Sequence, residues 1–298
     1  MKFQKSKTDR LTDVLIYTGF GLFAFLCFFP FYYIIINTIS DNTLVSAGKI
    51  LFLPHGIHLE NYKQVFLIKG LLNATVISLS RTVLGTAMSA LAATVLGYAF
   101  SRPEYWKRKF WYRFLIITMY FNAGIIPWYL NMRMLGLINN FLAYILPAVC
   151  VPFYVILVKT YIESIPESLE EAAEIDGAGY LMRYLRIILP LTRPIIATIA
   201  IFAAVGQWNS FMDTVFLVTK KELYTLQFIL YQYLNEANYL ADQMRQNPNF
   251  INVAATYKLT PVAVRFTVSI ITVMPILLVY PFFQKYFVKG IMIGAIKS

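Results

Sequence analysis

Charge, histidine and cysteine are all scarce in this chain, and each scarcity removes a class of function. Only 14% of its 298 residues are charged and 15 are acidic, against about 25% charged in an ordinary soluble protein. The two cysteines, Cys27 and Cys150, both sit in apolar runs and read as buried small hydrophobes, so no disulfide framework is expected. His55 and His58 lie three apart in a polar loop with no Cys or acidic cluster to complete a ligand set, and read as surface residues. A membrane-embedded enzyme would need His, Cys or carboxylates gathered at membrane depth, and no such constellation exists. No G-x-x-x-x-G-K-[ST] phosphate loop occurs; in the terminal "GAIKS", Ala and Ile separate Gly from Lys.

What is present is apolar. Hydrophobic residues make up 58% of the chain and the mean hydropathy is +0.60. Residues 14–36, "VLIYTGFGLFAFLCFFPFYYIII", run without a charge, and about 20 such residues cross a hydrocarbon core. This run is too long for a signal-peptide core and no small-x-small cleavage site follows it, so it is expected to be retained. The apolar runs predict an all-α integral membrane protein with six spans, at about 14–36, 72–100, 110–130, 139–160, 194–218 and 262–284. Arg81 and Arg265 lie toward span ends, where a long side chain can snorkel to the headgroups. The small residues of "GTAMSALAATVLG" in span two predict close helix contact.

An even number of spans puts both termini on one side. Sixteen of the 26 basic residues fall on that side and eight on the other, so the N- and C-termini are expected in the cytoplasm. The net charge of +11 is then a topology signal, and nucleic acid is not an expected partner. The chain divides into 1–70 (N-terminal segment, first span and outer loop), a membrane domain over 71–290 and a cytoplasmic tail at 291–298. No internal repeat is visible. The outward segment at 219–261 contains "NEANYLADQMRQNPNF", suited to contact with a partner outside.

One stretch does not fit an oily, basic protein. Glu163, Glu167, Glu170, Glu171, Glu174 and Asp176 fall within fourteen positions, in the segment 161–193 that charge counting puts in the cytoplasm between spans four and five. Ser164 and Glu167 read as a capping box with Pro166 in the first turn, and Gly177 as the helix stop. Leu169, Ala172, Ala173 and Asp176 share one face of this short helix. A small apolar face flanked by acids would fit a groove with basic rims in another protein. A connector lying on the headgroups is the other reading, but the acids argue against it because the cytoplasmic leaflet is negative. A second helix is expected through "AGYLMRYLRII", until Pro190 and Pro194 interrupt it.

"EAAEIDGAGYLMRYLRIILP" resembles the EAA signature of ABC importer permeases: E-A-A, three residues, G, nine residues, I-x-L-P. Here the match is Glu171, Ala172, Ala173, Gly177, Ile187, Leu189 and Pro190. The resemblance runs from about residue 70 to the C-terminus. "GQWNSFMD" and "YPFFQKYFVKGIMIGAIKS" are similar to the carbohydrate-uptake, maltose-permease-like branch, and the tail looks most like permeases for complex oligosaccharides. The resemblance implies a coupling helix that docks in a cytoplasmic ABC ATPase dimer, a second homologous permease, an extracytoplasmic substrate-binding protein and a sugar or oligosaccharide substrate. It implies a bacterial cytoplasmic (inner) membrane location. No cofactor belongs to this chain; ATP and Mg would be bound by the partner ATPase.

For the translocation pathway the candidates are Gln207, Trp208, Asn209 and Asp213 in span five, with Gly206, Asn209 and Asp213 expected on one face. Two readings stay open: these residues line the path, with Trp208 stacking on a sugar, or they lock the helix against a partner subunit. A self-contained secondary transporter would call for paired ionisable groups deep in the spans or inverted repeats. A permease for another solute would share the EAA segment.

Overall fold

A computed structural model describes residues 7–246 and 260–295. In chain order the helices are α1 (Lys7–Thr38), α2 (Asn42–Ser46), α3 (Glu60–Phe66), α4 (Leu71–Ser101), α5 (Arg108–Tyr120) and α6 (Ile125–Met134). Two 3-10 turns, Phe141–Tyr144 and Leu146–Ala148, precede α7 (Pro152–Ile162) and α8 (Ser168–Ile175). A helical stretch follows as α9 (Tyr180–Arg183), a π-turn (Tyr184–Ile188) and α10 (Leu189–Leu191). The remainder is α11 (Arg193–Asn209), α12 (Met212–Leu217), α13 (Leu226–Gln246) and α14 (Pro261–Ala295). The chain forms two compact units, Met1–Ile68 with Gln232–Val273, and Lys69–Tyr231 with Met274–Ser298.

In the first unit, Ile36, Val45 and Ile50 form a small core with Val262 and Phe266 packed against it. Asp41 caps α2 by accepting from the side chain of Thr43 and from the Thr43 and Leu44 N–H groups. These hydrogen bonds, the Thr43 hydroxyl first, hold its carboxyl below the usual carboxylate range. Outward along α1, large apolar residues such as Phe20, Phe23 and Phe25 are more than half exposed, as a helix facing hydrocarbon should be. Cys27 and Cys150 are also exposed, against the expectation of burial. In a bilayer the outside of the protein is as apolar as the inside, so an apolar run does not say which way a small residue points.

The second unit is organised around α4, which packs against both α7 and α11. Nothing in its sequence interrupts it until Pro103, and Arg102, just before that proline, is extended at φ −84, ψ 127. Close contact falls where the small residues predict it. A Cβ on Gly97 would stand 2.7 Å from Val158 Cγ1 and 3.1 Å from the Lys159 backbone nitrogen. Gly97→Leu is therefore expected to force α4 and α7 apart and to cost about 1–3 kcal/mol, typical of overpacking. Melting of the purified variant checks this, and an unchanged midpoint would contradict it.

Three helices among the described residues are long and apolar enough to cross a membrane, Leu11–Thr38, Leu71–Ser101 and Val262–Val279. Two bent pairs raise the number to five: Phe141–Ala148 with Pro152–Ile162 at 45°, and Tyr180–Leu191 with Arg193–Asn209 at 76°. The run at 110–130 is divided instead between α5 and α6, because Asn122 caps the turn by accepting from the Gly124 N–H at 2.9 Å. The run at 194–218 is divided too. It stops at Asn209, Ser210 is extended at φ −72, ψ 131, and α12 begins afresh at Met212. Gly206, Asn209 and Asp213 therefore do not share one helical face. The segment at 219–261, expected to face outward, is helical over Leu226–Gln246, and residues 247–259 of it lie outside the described residues. The expected tail at 291–298 continues α14 as far as Ala295, and its last three residues are likewise outside the description.

Candidate functional site

Breaking a helix inside an apolar environment frees backbone carbonyls that water cannot satisfy, so breaks survive only where protein or a cavity meets them. Here α4 supplies the partners at two breaks. The Ser89 hydroxyl donates to the Ala148 carbonyl at 2.7 Å, between the second 3-10 turn and α7. The Arg81 guanidinium donates to the Ser210 carbonyl at 3.2 Å, between α11 and α12.

Arg81 is the largest fully buried side chain, 2% exposed, and all five of its N–H groups are used. Nε and Nη2 both donate to Gln207 Oε1 at 3.1 Å. Nη1 serves Ser210 O and Asp213 Oδ1, and Nη2 reaches Asp213 Oδ2 at 2.5 Å. The guanidinium lies 4.4 Å from the centre of the Tyr144 ring. Arg81 is thus not a snorkelling anchor. Its charge is cancelled by a carboxylate 132 positions along the chain, and the pair clamps α4 to the start of α12. A fully satisfied, paired charge is tolerated at depth where a lone one is not. This is a pair of ionisable groups within the spans, a feature expected of the rival secondary-transporter reading.

Both breaks open on one cavity of about 250 Å³, whose lining includes Trp128, Tyr144, Tyr154, Gln207 and Asp213. Of the four residues predicted for a pathway, Gln207 and Asp213 are here. Trp208 is 5% exposed and faces a separate apolar recess beside Leu79, Thr82 and Pro275. Asn209 is exposed and accepts from Gln227 Nε2 at 3.1 Å. Sequence reasoning missed Tyr154 because 21 tyrosines hide any single one, and missed Trp128 although it is one of only four tryptophans. For Arg81 the signal was available: a cation inside an apolar run.

The acidic segment forms the second site. Its helix starts at Ser168 rather than at a Ser164 capping box, because the Ser164 hydroxyl donates to the Tyr161 carbonyl at 2.6 Å. Its end follows the expectation. Gly177 sits at φ +81, its N–H bonds Glu174 O at 2.9 Å, and the Ala178 N–H bonds Ala173 O at 2.8 Å. This six-to-one closure with a left-handed glycine is the Schellman arrangement.

The six acids do not act as one group. Glu170 is 4% exposed; its Oε2 lies 2.7 Å from Arg102 Nη1 and accepts from the Tyr98 hydroxyl at 3.3 Å. Glu174 accepts from Arg183 at 2.7 Å. With Glu170 buried and Glu174 paired to Arg183 at the surface, the free face of α8 presents Leu169, Glu171, Ala172, Ile175 and Asp176, with Ile175 87% exposed. Ala173 is half-buried and Gly177 exposed. In the second half of the signature, Ile187 and Leu189 pack on the core of Val155, Val158 and Ile188, while Pro190 is exposed. The signature therefore joins an outward patch to an inward anchor.

A membrane protein whose spans are broken around a polar, aromatic cavity, and which presents one free face of a short helix at its surface, has the architecture of a transport subunit. The chain belongs to the family described as binding-protein-dependent transport system inner membrane component, whose model matches residues 2–293. It is a multi-pass inner-membrane permease subunit of a bacterial ABC importer and is not itself an enzyme.

The chain is 32% identical over 290 residues to the polygalacturonan/rhamnogalacturonan transport system permease protein YtcP of Bacillus subtilis (strain 168), covering 97% of this chain and 99% of that one. It is 29% identical to the maltodextrin transport system permease protein MalD of Streptococcus pneumoniae, covering 97% of each. Among solved structures it matches a chain of a bacterial ABC transporter involved in the import of the acidic polysaccharide alginate. The TM-score is 0.84 at 31% identity, covering 95% of this chain and 99% of that one.

Proposed function

We propose that this chain, with a second homologous permease, forms the membrane pathway for an oligosaccharide delivered by an extracytoplasmic binding protein. In this reading α8 docks in a separate cytoplasmic ATPase. The observation that carries it is α8 itself. Glu170 is bonded inward and Glu174 is tied to Arg183, while the outward face of the helix is apolar at Leu169, Ala172 and Ile175. Such a face fits a cleft better than water, and the basic residues of the flanking segments favour the cytoplasmic side.

The cavity supports the oligosaccharide part. Sugars are gripped by aromatic faces together with a few polar groups, and Trp128, Tyr154 and Gln207 offer both beside two helix breaks. The relatives named for polygalacturonan, maltodextrin and alginate support the same class. Arg81 has no N–H left for a substrate carboxylate, so a sugar held here is bound by the other lining groups, such as Trp128, Tyr154 and Gln207.

The test is uptake by the reconstituted transporter across a panel of neutral and acidic oligosaccharides. Trp128→Ala is expected to lower transport about tenfold, equivalent to roughly 1.4 kcal/mol, with folding intact because the ring is only half-buried. Wild-type rates for every sugar in that variant would remove the cavity from the path. Failure of the wild-type chain to co-purify with an ATPase would overturn the docking role.

A further inference from the structure

α4 is gripped by two buried ion pairs, one about a third of the way along it and one just past its end. Ten residues into the helix, Arg81 holds Asp213, Gln207 and the Ser210 carbonyl at the cavity. Just past its end Arg102 holds Glu170 of α8 at 2.7 Å, and both residues are largely withdrawn from solvent. The second grip is reinforced. The Arg102 guanidinium lies over the Tyr98 ring, the Tyr98 and Tyr184 rings are 5.3 Å apart, and the Tyr184 hydroxyl donates to Thr94 Oγ1 at 2.9 Å. Twenty residues of helix lie between the two arginines, about 30 Å at 1.5 Å per residue.

Two routes connect α8 to the cavity. The covalent one runs through Gly177 and Gly179, a π-turn at Tyr184–Ile188 and a 76° bend before α11. The Glu174–Arg183 pair braces the two glycines, but the π-turn and the bend beyond it can absorb movement. The other leaves α8 through the Glu170 carboxylate, enters α4 through Arg102 and follows one unbroken helix to Arg81. A displacement of α8 is transmitted by the stiffer route.

We propose that Glu170 and Arg102 are positioning residues that link ATPase-driven movement of α8 to the cavity, with α4 as the connecting rod. This rests on the docking role proposed for α8. The linkage acts on coupling and not on docking, because neither side chain belongs to the free face of the helix.

The experiment uses the full transporter with its ATPase, second permease and binding protein in lipid vesicles. It measures assembly, ATP hydrolysis and sugar transported per ATP for Glu170→Gln, Arg102→Gln and the exchange Glu170→Arg/Arg102→Glu. Both single variants are expected to assemble and hydrolyse ATP while transport per ATP falls about tenfold, within the usual range of coupling free energies. The exchange is expected to restore it to within about threefold, since the pair is reinstated in reverse. Should Arg102→Gln fail to assemble, Glu170→Gln decides, because it keeps the shape and the acceptor for Arg102. Unchanged transport per ATP in an assembled single variant overturns the proposal, as does an assembled exchange that stays uncoupled. Loss of ATPase binding in the wild type would instead remove the docking role on which it rests.

Discussion

Asp213→Ala is expected to lower the stability of the chain far more than it alters sugar selection. Removing the carboxylate leaves Arg81, 2% exposed, with no counter-charge. Breaking a buried pair from one side typically costs about 3–5 kcal/mol, a large part of the total stability of most domains. The variant should appear as reduced membrane-inserted protein and a lowered melting temperature in detergent. Asp213→Asn keeps one acceptor for the guanidinium and should be milder. The double change Arg81→Met/Asp213→Leu removes both charges and should recover most of the lost stability, although the Ser210 carbonyl then loses a donor. If Asp213→Ala melts like the wild type yet fails to transport, the pair belongs to the transport step and the architectural account is wrong.

The second large effect concerns the free face of α8. Ala172→Arg is expected to leave insertion and melting unchanged, because Ala172 is exposed and touches nothing that holds the chain together. Transport should nevertheless be abolished. A bulky cation at the centre of a small apolar contact costs at least about 2 kcal/mol of binding, roughly thirtyfold in affinity for the ATPase. Gly177→Val should act in the same direction by another cause, since φ +81 is unfavourable for a β-branched residue. Ala173 is a less clean probe, because it is half-buried and its carbonyl closes the helix end. Co-purification of the ATPase with Ala172→Arg, together with uptake at the wild-type rate, would rule out this face as the docking surface.

How much of this could be read in advance depended on distance along the chain. The helix end at Gly177 was legible, because a left-handed glycine closing two hydrogen bonds is a local event. The start was not, because the Ser164 hydroxyl had a nearer carbonyl to satisfy. Adjacent acids had opposite fates. Glu170 is buried and Glu171 exposed, and the difference is set by Arg102, which is 68 positions away and belongs to the other end of α4. The apolar runs were legible because hydrocarbon demands them. Their breaks were not, because a broken helix is stable only if another element reaches its freed carbonyls. Ser89 and Arg81 do that from a helix that, on sequence alone, looked merely small-sided and well packed. A charge toward a span end has a simple explanation as an anchor, whereas the partner of Arg81 lies beyond seven intervening helices.

The pairing of Arg81 with Asp213 has an electrical consequence. A lone guanidinium carried through the membrane field would gain or lose about 2.3 kcal/mol for each 100 mV across its path. Arg81 and Asp213 travel as a dipole only a few ångströms long, with no net charge. Whatever excursion the joint between α4 and α12 makes during a cycle, it displaces almost no gating charge. Any movement of this joint would therefore couple only weakly to the voltage of the membrane that holds it.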